Sequence, residues 1–186
     1  MKEITQNISN EIIINKSRFI TYLYKVKNIV EIKNILLDLK KEYKDATHIC
    51  YAYSINGSKK AEDDGEPAHT AGIPILNVID KNELNNILVV VVRYFGGIKL
   101  GAGGLTRAYS NSVSKALDLV EIEEEKNIIK VRIEFNYENI NNIDYILRDY
   151  KITYKEYSDN IIYEFIYDEY NYPEEIDSYI IKKSRL

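Results

Sequence analysis

One segment, residues 91–109 (VVRYFGGIKLGAGGLTRAY), limits what this chain can fold into more than any other. It places five of the chain's eight glycines within residues 96–104, between an apolar run and a stretch with helical periodicity. Glycine lets backbone N–H groups approach a neighbouring atom closely, because no side chain stands in the way. We therefore expect a strand, a glycine-rich turn and a helix start, an arrangement that is typical of anion sites.

The spacing of these glycines matches neither common nucleotide-binding motif, G-x-x-x-x-G-K-[ST] or G-x-G-x-x-G after a strand. Two interpretations stay open. In the structural one, Gly96 and Gly97 form a tight turn, and Gly101, Gly103 and Gly104 let a helix pack closely on a sheet. In the functional one, the same backbone, residues 96–104, cradles a phosphate.

The distribution of charge favours an anion site. The whole chain has net charge −4, yet residues 84–117 contain four Lys or Arg and no Asp or Glu. Positive charge that is confined to one segment is typical of a local site rather than of a general nucleic-acid coat. We expect the side chains of Arg93, Lys99 and Arg107 to contact phosphate, with hydrogen bonds from Thr106 and Asn111 nearby.

Hydrophobic periodicity predicts an α+β fold. In residues 1–122, alternating or apolar runs predict strands over 11–15, 18–26, 48–55 and 87–94. Helical spacing predicts a helix over 29–43 with Asn28 as its N-cap, a short helix from Thr70, and a third over 105–120. The charged stretch EIEEEKN (121–127) then marks a domain boundary near Glu123.

Residues 123–186 repeat a simpler pattern. They predict a strand over 129–135, a helix over 140–150, a hairpin of strands 152–157 and 161–167, and a last helix from Pro173. This βαββα order is that of a small ferredoxin-like domain whose usual last strand is either missing or supplied otherwise. The second domain is acidic, with 9 Lys and Arg against 15 Asp and Glu, net −6.

The acidic loop EDDGE (62–66) allows two interpretations. Its carboxylates, with His48 or His69, could hold a divalent cation, whereas Asp-Gly is a strong turn signal. The turn is the simpler account, so we predict no metal and no cofactor. In that account Asp63, Asp64, Glu66 and His69 support the loop, and Asp63 or Asp64 pairs with Arg93 or Arg107.

Other features exclude whole classes of protein. The single cysteine, Cys50, excludes an intrachain disulfide and a multi-cysteine metal site, and it fits a buried structural role. No run approaches the roughly 18 apolar residues of a membrane helix, and the N-terminal residues lack the apolar stretch of a signal peptide. We expect a cytoplasmic protein with no membrane partner.

Four segments resemble the YigZ/IMPACT family: KSRFITYLYKV (16–26), DATHICYAYSING (45–57), DDGEPAHTAGIPIL (63–76) and VVVVRYFGGIKLGAGGLTRAYSNSV (89–113). The resemblance implies an N-terminal domain with the fold of the second domain of a small-subunit ribosomal protein. It implies a C-terminal ferredoxin-like domain, like those of translation elongation factor G. One departure stands at Ala68-His69, where the family usually has Ser-Gly or a similar small pair.

The resemblance also implies partners. Eukaryotic relatives act in translational control through a protein partner, and RNA or ribosome binding is the usual suggestion for bacterial ones. We therefore expect a non-enzymatic RNA- or ribosome-associated protein. Two alternatives stay open: a small enzyme that uses Mg²⁺ on a phosphorylated metabolite or nucleotide, with His48 or His69 as acid or base, and a protein-binding regulator.

Overall fold

The structure is a computed structural model that describes residues 1–124, 128–169 and 171–186. The chain divides into two compact units, Met1–Glu125 and Lys126–Leu186, three residues beyond the expected boundary after residue 122. Both units combine helices and strands, so the predicted two-domain α+β class is confirmed. Part of the predicted charged hinge, residues 125–127, lies outside the described residues.

The first unit contains a five-stranded antiparallel sheet in the order β2-β3-β6-β4-β5, and a two-stranded sheet of β1 and β7. The strands are β1 (Lys2–Ile4), β2 (Ile8–Ile14), β3 (Ser17–Lys25), β4 (His48–Ile55), β5 (Ser58–Glu62), β6 (Ile87–Tyr94) and β7 (Ile122–Glu124). The helices are α1 (Ile29–Glu42), α2 (Gly72–Lys81) and α3 (Gly101–Leu117).

Helices cover both faces of the five-stranded sheet. Helices α2 and α3 pack on one face, in a core that includes Cys50 and Ala52 of β4. Helix α1 packs on the other face, over Ile49 and Ile55 of the same strand. The predicted alternation of β4 is therefore confirmed, and the continuous apolar run of β6 is buried on both sides, as expected of a central strand.

Local sequence accounts for the start of α1. The side chain of Asn28 accepts a hydrogen bond from the N–H of Glu31 at 2.9 Å, as an N-cap residue does. The carboxylate of Glu31 in turn accepts from the N–H of Lys27 at 2.8 Å. The predicted cap is confirmed, and these two bonds satisfy backbone donors that have no partner within the helix.

The second unit is a four-stranded antiparallel sheet in the order β11-β8-β10-β9, with α4 packed on it. Its elements are β8 (Ile128–Phe135), α4 (Ile140–Ile146), β9 (Lys151–Tyr157), β10 (Ile161–Asp168) and β11 (Lys182–Arg185). This is the complete ferredoxin-like strand order. The expectation that the last strand is either missing or supplied otherwise was wrong, because Lys182–Arg185 pairs with Val131–Glu134 of β8.

The last helix was also predicted wrongly in its extent. From Pro173 the chain forms only a 3-10 turn, Glu174–Ser178, before β11 begins. The 3-10 turn and β11 are joined by an ion pair between Asp177 and Lys183 at 2.9 Å. Within the described residues, no helix is long and apolar enough to cross a membrane.

Candidate anion-binding site

Helix α3 begins inside the glycine cluster. It starts at Gly101 rather than at Leu105, so the last three clustered glycines belong to its first turn and not to a preceding loop. Leu100 stands at the N-cap position and provides no side-chain hydrogen bond to the helix. The first N–H groups of a helix have no acceptor within it. Those of α3 therefore lie at an exposed and uncapped helix start, where the helix dipole is positive.

For four of the five clustered glycines, the structure explains why a larger residue would not fit or would be strained. A Cβ on Gly96 would lie 2.0 Å from the carbonyl carbon of Lys16, so the loop could not pass β3 so closely. Gly97 and Gly101 have φ of +84° and +70°, and a Cβ on Gly104 would lie 3.0 Å from the Cβ of Leu100. The fold does not require glycine at position 103, because a Cβ there would meet no described atom within 4 Å.

A pocket of about 400 Å³ lies beside this helix start. Of the predicted site residues, Glu66, Arg93, Lys99 and Gly101 line it. Its other walls are mainly apolar, from Pro67, Phe95, Ala102, Leu100 and Leu105, and Thr47 and His48 complete the lining. A small concave site with apolar walls and a few convergent polar groups is the usual form of a ligand pocket.

Arg93 does not present its charge to solvent. Its side chain is 5% exposed, and its Nη1 donates to Glu66 Oε1 at 2.5 Å. The partner carboxylate is 3% exposed. Because a buried ion pair neutralises both charges, the expectation that Arg93 contacts phosphate directly does not fit its position. Its role is instead to hold the acidic loop against β6.

Glu66 is the centre of a buried polar network below the pocket. Besides Arg93, it accepts a hydrogen bond from the Tyr109 hydroxyl at 2.7 Å, and that hydroxyl accepts from the Cys50 thiol at 3.3 Å. Burial raises the pKa of the Cys50 thiol and that of the Tyr109 hydroxyl, so both remain protonated. Cys50 is thus an inert structural residue, in line with its interpretation from sequence.

The acidic loop is held by backbone contacts rather than by the predicted Asp–Arg pair. Asp63 Oδ1 accepts from the N–H groups of Ala71 and Gly72 at 3.0 and 2.8 Å, and its Oδ2 accepts from the N–H of His69 at 2.8 Å. Asp63 therefore caps α2, which begins at Gly72 rather than at Thr70. The carboxylate that reaches Arg93 is that of Glu66, three residues further on.

Asp64 and His69, the two other predicted loop residues, lie apart from any metal site within the part of the chain that the structure describes. Asp64 Oδ2 accepts from the N–H of Ile49 at 2.7 Å, which ties the loop to β4. His69 is exposed, has φ of +63°, and does not line the pocket. The histidine that does line it is His48, whose Nδ1 bonds to the Asp64 carbonyl at 2.8 Å. Among the described residues no group of three potential metal ligands comes together.

The remaining predicted residues lie on the exposed side of α3. Arg107 follows Gly103 by one helical turn and Asn111 follows by two, so the three share a face. Thr106 is also exposed. Neither Lys99 nor Arg107 makes an ion pair with a described residue, whereas Lys115 at the other end of α3 pairs with Asp118 at 3.2 Å. Two cations that have no ion-pair partner among the described residues therefore lie near the helix start.

Sequence reasoning missed the aromatic and hydrophobic wall of the pocket. Phe95 is 46% exposed and lies between the buried strand and Gly96. Thr47 fixes its backbone by accepting its N–H at 2.9 Å. An aromatic side chain directly before paired glycines was the available signal, because apolar residues in a turn have no core to enter.

These features define a two-unit α+β protein whose first unit carries a positively charged helix start beside a small pocket. The Impact N-terminal domain family matches residues 15–117. IMPACT family member YvyE of Bacillus subtilis is 42% identical over 165 residues, which cover 86% of this chain and 76% of the relative. The chain belongs to the IMPACT family.

Other relatives extend over both units. IMPACT family member YigZ of Escherichia coli is 34% identical over 139 residues, which cover 72% of this chain and 68% of that protein. A crystal structure described as that of a hypothetical protein matches the whole chain and 95% of its own length, with 28% identity and a TM-score of 0.68. That similarity supports the two-domain fold.

Proposed function

We propose that this chain is a non-enzymatic, RNA- or ribosome-associated protein in the regulation of translation, and that it binds phosphate backbone at the start of α3. The observation that carries the proposal is the uncapped, exposed helix start beside Lys99 and Arg107. Free backbone N–H groups, the helix dipole and two cations with no ion pair to a described residue all favour an anion at this place. The regulatory part rests on the resemblance to the IMPACT family, which implies a role in translational control.

Phosphate backbone fits these groups better than a metal-bound metabolite. In the enzyme alternative the Mg²⁺ ligands would be Asp63, Asp64 and Glu66. Backbone N–H groups engage the first two carboxylates, and Arg93 pairs with the third. Side chains of a helix lean toward its N-terminus, so Arg107 extends toward the first turn. Asn111 lies four residues further along the helix, about 6 Å along the axis. The exposed face of α3 thus offers contacts along an extended anionic chain.

Substitution of Arg107 tests the proposal. Two or three phosphate contacts give a slope of log affinity against log salt of about −1.5 to −2.5. We expect Arg107→Ala to weaken binding of a fluorescent RNA and to make the slope shallower by about 1, measured by anisotropy at several salt concentrations.

The matched control for this test is Lys115→Ala. It removes the same charge from the same helix, but Lys115 already pairs with Asp118 near the C-terminal end. Equal effects of the two substitutions would point to general charge attraction and contradict the site. Binding to neither RNA nor ribosomes, together with a stable protein partner after nuclease treatment, would favour a protein-binding regulator.

A further inference from the structure

Phe95 forms one wall of the pocket and is 46% exposed. It is not a loose surface side chain, because Thr47 Oγ1 accepts its backbone N–H at 2.9 Å. On the other side of it, Gly96 lies so close to β3 that even a methyl group would collide with Lys16. The backbone that carries the aromatic ring is therefore fixed at Phe95 itself and at the next residue, Gly96.

The ring of Phe95 contacts a buried cation. The guanidinium carbon of Arg93 lies 5.4 Å from the ring centroid of Phe19 and 5.7 Å from that of Phe95, so the cation is within cation–π distance of both rings. Phe19 is buried in the core, whereas Phe95 is 46% exposed. Although Arg93 is buried and lines the pocket, its Nε–H finds no hydrogen-bond acceptor within the described part of the chain.

His48 adds a directional polar group to the same pocket. Its Nδ1 bonds to the carbonyl of Asp64, and since a carbonyl only accepts, Nδ1 carries the proton. In the neutral ring, Nε2 is then an acceptor. It lies 3.7 Å from Glu66 Oε2, beyond hydrogen-bond distance. An N–H or amino group of a ligand could therefore donate to it.

We propose that this pocket takes one unpaired nucleotide of an RNA strand, with its base against Phe95 and its phosphate at Lys99 and the start of α3. The inference rests on the proposed function and specifies which form of RNA the site binds. Aromatic side chains beside positive charge bind unpaired bases by stacking, and about 400 Å³ lies within the usual range of small-ligand pockets. A base that is paired and stacked within a duplex has neither its face nor its Watson–Crick edge free to enter.

The experiment compares single-stranded and duplex RNA of equal length on the full chain, by anisotropy. The single strand carries 2-aminopurine, whose fluorescence reports stacking. We expect wild type to prefer the single strand and to change the 2-aminopurine signal. Phe95→Leu, which keeps an apolar side chain, should weaken single-strand binding about tenfold and leave duplex binding within about twofold. Phe95→Tyr should retain the preference, since it retains the ring.

The matched control is Leu37→Ala. Leu37 is 56% exposed on α1, outside the glycine-rich segment, and does not line the pocket, so its substitution should change neither affinity. Circular-dichroism melts show whether each variant is folded.

Equal binding of single-stranded and duplex RNA, with no effect of Phe95→Leu, would overturn the inference. The proposed function would still stand if Lys99→Ala weakened the binding of both RNA forms. If neither RNA binds, the inference is wrong, and the proposed function then stands only if the protein binds ribosomes. If Phe95→Leu weakens the binding of free AMP but not that of RNA, the ligand is a free nucleotide and the RNA inference is wrong.

Discussion

At the scale of single residues, Gly103 differs from the glycines around it. It lies in the first turn of α3, is exposed, and a Cβ there would meet no described atom within 4 Å. Glycine in a helix is less favourable than alanine by about 0.5–1 kcal/mol. Fold stability alone would therefore favour alanine at this position, whereas a phosphate that approaches the helix N–H groups would favour glycine.

Gly103→Ala should for this reason stabilise the protein and weaken RNA binding. We expect the free energy of unfolding to rise by about 0.5 kcal/mol or more in urea denaturation. We expect RNA affinity to fall, because the added methyl group stands where phosphate approaches. Gly96→Ala is the contrasting variant: it should destabilise the fold, because its Cβ would collide with the backbone of Lys16. An unchanged RNA affinity in Gly103→Ala would contradict the proposed contact.

At the scale of secondary-structure elements, the acidic loop is a helix cap. Burial raises the pKa of the Asp63 carboxyl, but the N–H donors of Gly72, His69 and Ala71 outweigh this effect, and the pKa lies below its ordinary value of 3.8. Those donors stabilise the ionised form at the start of α2. The loop residues that sequence suggests as metal ligands thus hold together the element beside the pocket.

Asp63→Asn should destabilise the protein at neutral pH by about 1–2 kcal/mol, since it removes the charge and one acceptor from the cap. A carboxyl whose pKa is lowered by folding contributes its full stability above its unfolded pKa, here near 3.8, and loses it as pH falls through the folded value. The difference between wild type and Asp63→Asn should therefore shrink below about pH 4.

Unfolding in urea at a series of pH values measures this difference. Glu62→Gln is the control, because Glu62 is exposed and its ion pair with Lys60 is long, at 3.7 Å. A stability difference for Asp63→Asn that stays constant down to pH 2 would show that ionisation of the cap is not the cause.

At the scale of the whole molecule, charge is divided unevenly between the two units. Residues 126–186 carry 9 Lys and Arg against 12 Asp and Glu, net −3 of the total −4. Both hydrophobic cores of the first unit are built from its own residues. The fragment Met1–Glu125 therefore contains the whole proposed site and has a smaller net negative charge than the full chain.

We expect this fragment to bind RNA a few-fold more tightly than the full chain at low salt. The two affinities should converge between about 0.01 M and 0.15 M salt, as the Debye length falls from about 30 Å to about 8 Å. Anisotropy titrations of both proteins over that range measure the effect. Weaker binding by the folded fragment would mean that the second unit contributes contacts of its own.

Much of the fold could be predicted from sequence, because its signals are local. The cap at Asn28, the alternation of β4 and the apolar run of β6 each depend on neighbouring residues and on burial, and each was predicted correctly. Strand β11, with the sequence KKSR, was missed because it is exposed and has no hydrophobic pattern. Only its pairing with β8 makes it a strand.

By itself, the sequence determined the two-domain α+β class, the central strand and the confinement of glycines and positive charge to one segment. Only the tertiary structure decided what each charge does. Arg93 and Lys99 are both cations of that segment, yet Arg93 is buried against Glu66 and Lys99 is exposed at a helix start. The physical reason is that an ion pair between residues far apart in the chain depends on the fold that joins them, whereas periodicity, capping and glycine content are properties of neighbouring residues.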